Sequence, residues 1–470
     1  MQRLMTWMGV FALTFAMILN IVLFMQNTQL HRQFAATPQQ QPTQALPTPP
    51  ADSTDLKQQL ERSEKDRIKA AREATTLREQ LSSLQSAGQE RDQLKQQVQA
   101  LTQQNQQLQS QVGNLQTMNT INGQVVQLRG LTPLHTVKRE FMNHDQLRAY
   151  FTDALAQQYT PEAEQRQRAI LKALDMDDGT ADLRKAQVDD AVKSILGFYD
   201  HTTKQLVIVS DHATMSVRDR VTYAHEYTHS LQDQHYNLLK LFARAAGNSD
   251  YEEAIRALVE GDATVSMGFY ARANLTAMDI ATYQLEQVQN FDLSGILSPG
   301  GGPLVESAAA FPYTDGASFV YGIYRHGGWP AVTRAFANPP RSTEQVLHPE
   351  AFLGGNEPVR IDLPDLGARL GGRWDVVAED TLGELYMRIY LERAVSIDLA
   401  IPAGIGWGGD RYQVLRDKQG RLALALHTAW DSPNDAQEFF ETYSAFVVTR
   451  GGGNPAVLQA DEAHMRWQLA

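Results

Sequence analysis

The sequence predicts a mostly helical α+β body preceded by a transmembrane helix and a coiled-coil stalk. Three observations predict it: an uncharged run from Leu4 to Met25, leucines at seven-residue spacing from Leu94 to Leu115, and mixed helix and strand patterning from about residue 121. The chain has 470 residues, more than one ordinary domain needs. It reads as an anchor at residues 1–28, a Pro- and Gln-rich linker at 29–52, a coiled coil at 53–120 and one body at 121–470.

The run from Leu4 to Met25 is long enough, at ~1.5 Å per helical residue, to cross a ~30 Å hydrocarbon core. It exceeds the apolar core of a signal peptide and lacks a small-x-small cleavage site, so it reads as an uncleaved anchor. Arg3 and Arg32 say little about orientation. A lone N-terminal span ahead of a long chain is expected to carry that chain across, giving a single-pass membrane protein with an extracytoplasmic body. Pro38, Pro42, Pro47, Pro49 and Pro50 then make an extended spacer. In the coil, Leu94, Leu101, Leu108 and Leu115 occupy d positions, with Val98, Asn105 and Val112 at a. A buried Asn at a favours a parallel two-stranded coil, so the expected partner is a second copy of the chain. The upstream repeat of Leu77, Leu81 and Leu84 is out of phase with it across Ala87 and Gly88.

Charge and cysteine content narrow the chemistry of the body. Of 42 Lys and Arg and 54 Asp and Glu, residues 121–470 hold 31 and 45, a balance of −14 that disfavours a nucleic-acid partner. With no cysteine, thiolate metal sites, iron–sulfur clusters and cysteine nucleophiles are excluded, and any metal must sit on His, Asp or Glu. Along the body, Asn143 can cap a helix through Leu155, Thr160-Pro161 starts another, and Thr180 a third running toward Ile195. A hairpin follows at Phe198–Asp200 and Leu206–Val209, and Ser216 with Asp219 forms a capping box.

The helix opened by that box contains His225-Glu226-Tyr227-Thr228-His229. Imidazoles four residues apart lie on one helical face one turn apart, close enough to share a cation, and zinc suits such a pair. Glu226 lies one position round from His225, so its carboxylate can act as general base toward a water on the metal. A third ligand is available in Glu260, on an amphipathic helix marked by Ala254, Ile255 and Leu258. Gly261 permits close approach of a neighbouring backbone, as packing of this helix on the His225–His229 helix would require. Asp262 and Asp233 are candidate acceptors for imidazole N–H groups, although an isolated carboxylate is more often simply solvated.

The run from His225 to His235, followed by Val259-Glu260-Gly261-Asp262-Ala263, resembles the gluzincin group of zinc metallopeptidases, and most nearly its little-characterised bacterial and archaeal members. The resemblance implies a zincin-like body at 121–470, His225, His229 and Glu260 as zinc ligands, and Glu226 as general base. It also implies that Leu206–Val209 is an edge strand above the cleft, able to pair with an extended peptide or protein substrate. Thr264 stands where the group has an Asp, which leaves the acceptor role of Asp262 open. A donor to the developing oxyanion is expected too; Tyr313, Tyr321, Arg341 and His348 are available, with Tyr313 and His348 preferred.

Gly404-Ile-Gly406-Trp-Gly408-Gly409 matches the dinucleotide-binding pattern, but the hairpin expected after it contradicts the strand–turn–helix that phosphate binding needs. A capped helix from Asp431 to Tyr443 closes the readable pattern, with Trp430, Phe439 and Phe440 supplying core. The sequence therefore points to a membrane-anchored zinc peptidase. The alternatives are a zinc hydrolase of another amide or ester, and an inactive membrane-tethered scaffold or binding protein on the same fold.

Overall fold

A computed structural model describes residues 53–158, 160–176, 195–210, 212–289, 303–450, 456–460 and 465–468, with isolated positions between 185 and 192. Two units emerge, one ending at Val112 and one running from Gly113 onwards. Helix α1 (Ser53–Arg129) begins in the first and ends in the second. From Leu77 to Val112 its leucines and valines, Leu94, Val98, Leu101, Leu108 and Val112 among them, are exposed. The helix is unbroken through Gly88 and does not stop at residue 120. Beyond Gly113 it changes character, because Met118, Ile121 and Val125 recur at helical spacing and are buried against Tyr223, Tyr227 and Leu231. The last turns of the expected stalk are thus part of the body's core.

The second unit is built around α4 (Val217–Tyr236), which follows β1 (Lys138–Met142), α2 (His144–Gln158), α3 (Pro161–Ala173), β2 (Gly197–Asp200) and β3 (Gln205–Val209). The starts of these helices follow the expected caps. Asn143 accepts from the Gln146 N–H at 2.8 Å, and Thr160 from the Ala163 N–H at 3.2 Å. Ser216 and Asp219 cap each other reciprocally, at 3.1 and 2.9 Å. The helix expected from Thr180 lies largely outside the described residues.

One sheet has the order β1-β3-β2, with β1 parallel and β2 antiparallel to β3. Leu206–Val209 is therefore the middle strand, and the edge-strand expectation is corrected: both ladders of β3 are occupied by neighbours. After α5 (Leu238–Ala243), helices α6 (Ser249–Asn274), α7 (Ala277–Gln289) and α8 (Pro303–Ala337) complete the helical core. Helices α6 and α8 meet backbone to backbone. A Cβ on Gly261 would lie 2.1 Å from the Gly316 carbonyl oxygen, and one on Gly316 would lie 2.4 Å from that of Ala257. The close approach at Gly261, expected toward the helix of His225 and His229, is instead to α8. Helix α8 kinks at Gly327 and Gly328, the latter at φ +63.

Short helices α9 (Thr343–Leu347), α10 (Pro349–Gly354) and α11 (Leu366–Arg369) lead to β4 (Trp374–Asp380), α12 (Gly383–Glu392) and α13 (Ile397–Ala400). Strands β5 (Trp407–Asp417) and β6 (Leu422–Trp430) then complete a sheet of order β4-β5-β6. The glycine cluster leads into β5 and not into a helix, in keeping with the rejection of nucleotide binding. Helix α14 (Pro433–Arg450) stacks Phe439 on Trp430 at 4.6 Å, and the hairpin of β7 (Ala456–Ala460) and β8 (Met465–Gln468) follows.

The fold class is mostly helical α+β, and its membrane element is corrected. Among the described residues no helix is long and apolar enough to cross a membrane. The segment from Leu4 to Met25, on which the anchor was expected, lies outside them. The two longest described helices fail for a physical reason: α1 is dense in Gln, Glu, Lys and Arg, and α8 carries Asp315, Arg325 and Arg334. The single-pass, extracytoplasmic localisation is withdrawn with it.

Candidate metal centre

The i,i+4 spacing places His225 and His229 on one face of α4, with rings edge-on at 4.7 Å between centroids. The packing of α6 against α4 brings Glu260 to the same point. The three ligand atoms form a near-equilateral triangle: His225 Nε2 to His229 Nε2 is 3.0 Å, His225 Nε2 to Glu260 Oε2 is 3.1 Å, and His229 Nε2 to Glu260 Oε2 is 3.3 Å. Tetrahedral coordination with bonds of ~2.0–2.1 Å has edges of ~3.3 Å between ligand atoms, so the triangle fits a first-row dication. Among the described residues this is the one group of three potential metal ligands that converges. His225, His229 and Glu260 are 2%, 4% and 1% exposed, and Oε1 of Glu260 accepts no hydrogen bond. Convergent lone pairs this deep require a cation, either a proton or a metal.

The electrostatics express the same demand. Burial works against a charged His229, but the Glu260 carboxylate outweighs it and holds the imidazole above its ordinary value. Burial likewise opposes ionisation of Glu260, yet His229 and His225 hold its carboxyl below the ordinary range. A metal must therefore displace a proton from His229. Affinity for zinc is expected to rise about tenfold per pH unit, and to keep rising above ~6.5, where an ordinary imidazole is already neutral. Competition titrations against a chelator between pH 6 and pH 8.5 check this; a plateau above ~6.5 is the contrary result.

Glu226 is 7% exposed, and burial raises its carboxyl above the usual range, partly offset by the nearby imidazoles. The backbone N–H of Tyr199, in β2, donates to it. Tyr313, in α8, lies 6.1 Å ring to ring from His225, placed there by the Gly261–Gly316 contact one turn away. His348 is not brought to the triangle. Its Nε2 meets Glu384 Oε1 at 3.1 Å, and Gly383 beside Glu384 packs on Asp250. Asp250 is ten residues from Glu260 along α6, a distance of ~15 Å. Tyr321 stacks with Tyr324 on an exposed part of α8, and Arg341 pairs with Glu357 at 3.1 Å.

The two candidate acceptors separate as well. Asp233 takes hydrogen bonds from the Tyr199 hydroxyl at 2.8 Å, Lys204 Nζ at 2.6 Å and the Leu238 N–H at 3.2 Å, which ties the β2–β3 hairpin to α4. Asp262 reaches the site through Gln232, which pairs with His229 Nδ1 at 2.9 Å. Gln232 went unread in the sequence although it stands one turn beyond His229. His201, in the β2–β3 turn and buried, feels the charge of His229 and is held below its ordinary value by burial. A lone histidine in a turn gives no sequence signal for that position.

A family model described as a domain of unknown function (DUF8575) matches residues 370–470, which contain β4–β6 and α14 but none of the three potential ligands. No curated protein and no solved structure matches the chain. The zincin-like designation, which no solved structure supports, is withdrawn, and the body is described as mostly helical α+β.

Proposed function

We propose that the protein is a zinc-dependent hydrolase of peptide bonds, with zinc on His225, His229 and Glu260 and with Glu226 as general base. The observation that carries this reading is the triangle of ligand atoms with a buried carboxylate beside it. Two buried carboxylates, Glu226 and Glu260, also match the charge of one dication. Zinc held there supplies Lewis acidity and a water whose pKa falls toward ~7. Glu226, oriented by the Tyr199 N–H, accepts a proton from the water that adds to the substrate carbonyl and returns it to the leaving nitrogen as the C–N bond breaks. Tyr313, whose ring lies 6.1 Å from that of His225, is our candidate donor to the oxyanion.

Metal analysis of the full chain purified without chelator, joined to a peptide-library cleavage assay, tests the reading. About one equivalent of zinc with cleavage is expected. Zinc without cleavage favours an inactive scaffold, cleavage of simple esters or amides but not peptides favours the other hydrolase, and no zinc removes all three.

The exposed heptad leucines support a second copy as partner, through a parallel pair of α1 helices. Sedimentation of the full chain is expected to give a dimer, and Leu101→Glu with Leu108→Glu a monomer. A wild-type monomer at micromolar concentration removes the pairing.

A further inference from the structure

Behind the metal-facing edge of His229 runs a chain of buried hydrogen bonds that ends in another part of the sequence. His229 Nδ1 meets Gln232 Oε1 at 2.9 Å. Gln232 Nε2 donates to the Val259 carbonyl and to Asp262 Oδ2, both at 2.9 Å. The other oxygen of Asp262, Oδ1, accepts from Arg129 Nε at 2.6 Å, with the two side chains 0% and 1% exposed. Arg129 is the last residue of α1 and lies 133 positions from Asp262 in sequence. Its guanidinium stands 4.4 Å over the Trp329 ring, whose Nε1 donates to the Leu128 carbonyl at 2.5 Å.

The direction of every bond in this chain follows from chemistry. A backbone carbonyl and a carboxylate held by arginine can only accept, so the Gln232 atom facing them must be its NH₂. Its oxygen then faces His229, and an amide oxygen can only accept. A proton of His229 is therefore kept on Nδ1, and Nε2, facing the triangle, is the nitrogen whose proton a metal displaces.

We propose that Gln232, Asp262 and Arg129 are positioning residues that preset the tautomer and ring orientation of His229, so that docking of the end of α1 in the body prepares the metal site. Direct carboxylate-to-histidine contact is the simpler arrangement. Here an amide is interposed, and its orientation is dictated by an ion pair supplied by a helix far away in sequence.

Two measurements on the full chain test it, and only the second rests on the zinc reading above. With ¹⁵N-histidine labelling, the His229 Nδ1–H, assigned by its loss in His229→Gln, is expected to exchange slowly with solvent with or without zinc, and to exchange fast in Gln232→Met. Zinc affinity is expected to fall about 10- to 100-fold in Gln232→Met and in Asp262→Asn, with the double variant no weaker than the weaker single one. Such non-additivity is what separates a relay through Gln232 from two independent structural roles. Gln232→Glu provides a second route where Asp262→Asn does not fold: it still accepts from Nδ1–H but turns an acceptor toward Asp262, and it should weaken zinc binding at least as much as Gln232→Met. Slow exchange preserved in Gln232→Met, or a folded Gln232→Met chain within threefold of wild-type zinc affinity, overturns the relay. If wild-type chain binds no zinc, the exchange measurement still decides whether Gln232 holds the Nδ1 proton.

Discussion

Glu226→Gln is expected to lower peptide hydrolysis by about 10²–10⁴-fold while leaving zinc content unchanged. The separation of the two effects follows from position. Glu226 is adjacent to His225 in sequence and so lies about 100° round the helix from it, outside the triangle formed by His225, His229 and Glu260. The amide keeps the size of the side chain but cannot accept the proton. Its effect on stability has a definite sign. Burial raises the carboxyl of Glu226 above the unfolded value, so its contribution is full at low pH and is lost as pH rises through the folded value. The neutral amide escapes that loss, and in the metal-free chain Glu226→Gln should be at least as stable as wild type near neutral pH. Single-turnover kinetics and metal content on the zinc-loaded chain, with thermal melting after chelation, check the three statements. Undiminished cleavage with zinc in place would remove Glu226 from the mechanism.

Arg129→Met is expected to cost about 3–5 kcal/mol of stability, because it strands the Asp262 carboxylate in the core without a cation. A buried ion pair is not in itself a large source of stability, since desolvation offsets most of the attraction. Removing both charges should therefore restore most of the loss. Arg129→Met with Asp262→Leu is expected to recover to within about 1–2 kcal/mol of wild type in urea denaturation. If the double variant is as unstable as Arg129→Met alone, the loss comes from packing against Trp329 and not from the stranded charge.

Much of the candidate site was legible because it is local. The i,i+4 histidines, the Ser216–Asp219 box and the Glu260 helix are spacings within one element, and hydrogen-bond geometry carries them into the structure unchanged. Choosing among distant donors was not legible. Tyr313 and His348 were equal candidates by residue type, and the backbone contact of Gly261 with Gly316 is what brings Tyr313 to His225. The edge-strand expectation failed for a related reason: the parallel partner β1 lies 63 residues before β3, and no turn signal announces a pairing across such a gap.

The sequence by itself determined which atoms can bind a metal, since with no cysteine the donors must be imidazole and carboxylate and their helical spacing is written in the chain. It also determined the heptad face of α1. Only the tertiary structure decided where that helix ceases to be stalk, which residue holds His229 from behind, and which tyrosine stands beside the triangle. Those choices depend on contacts between residues up to 201 positions apart, whose closure is driven by burial of apolar surface and not by any local pattern.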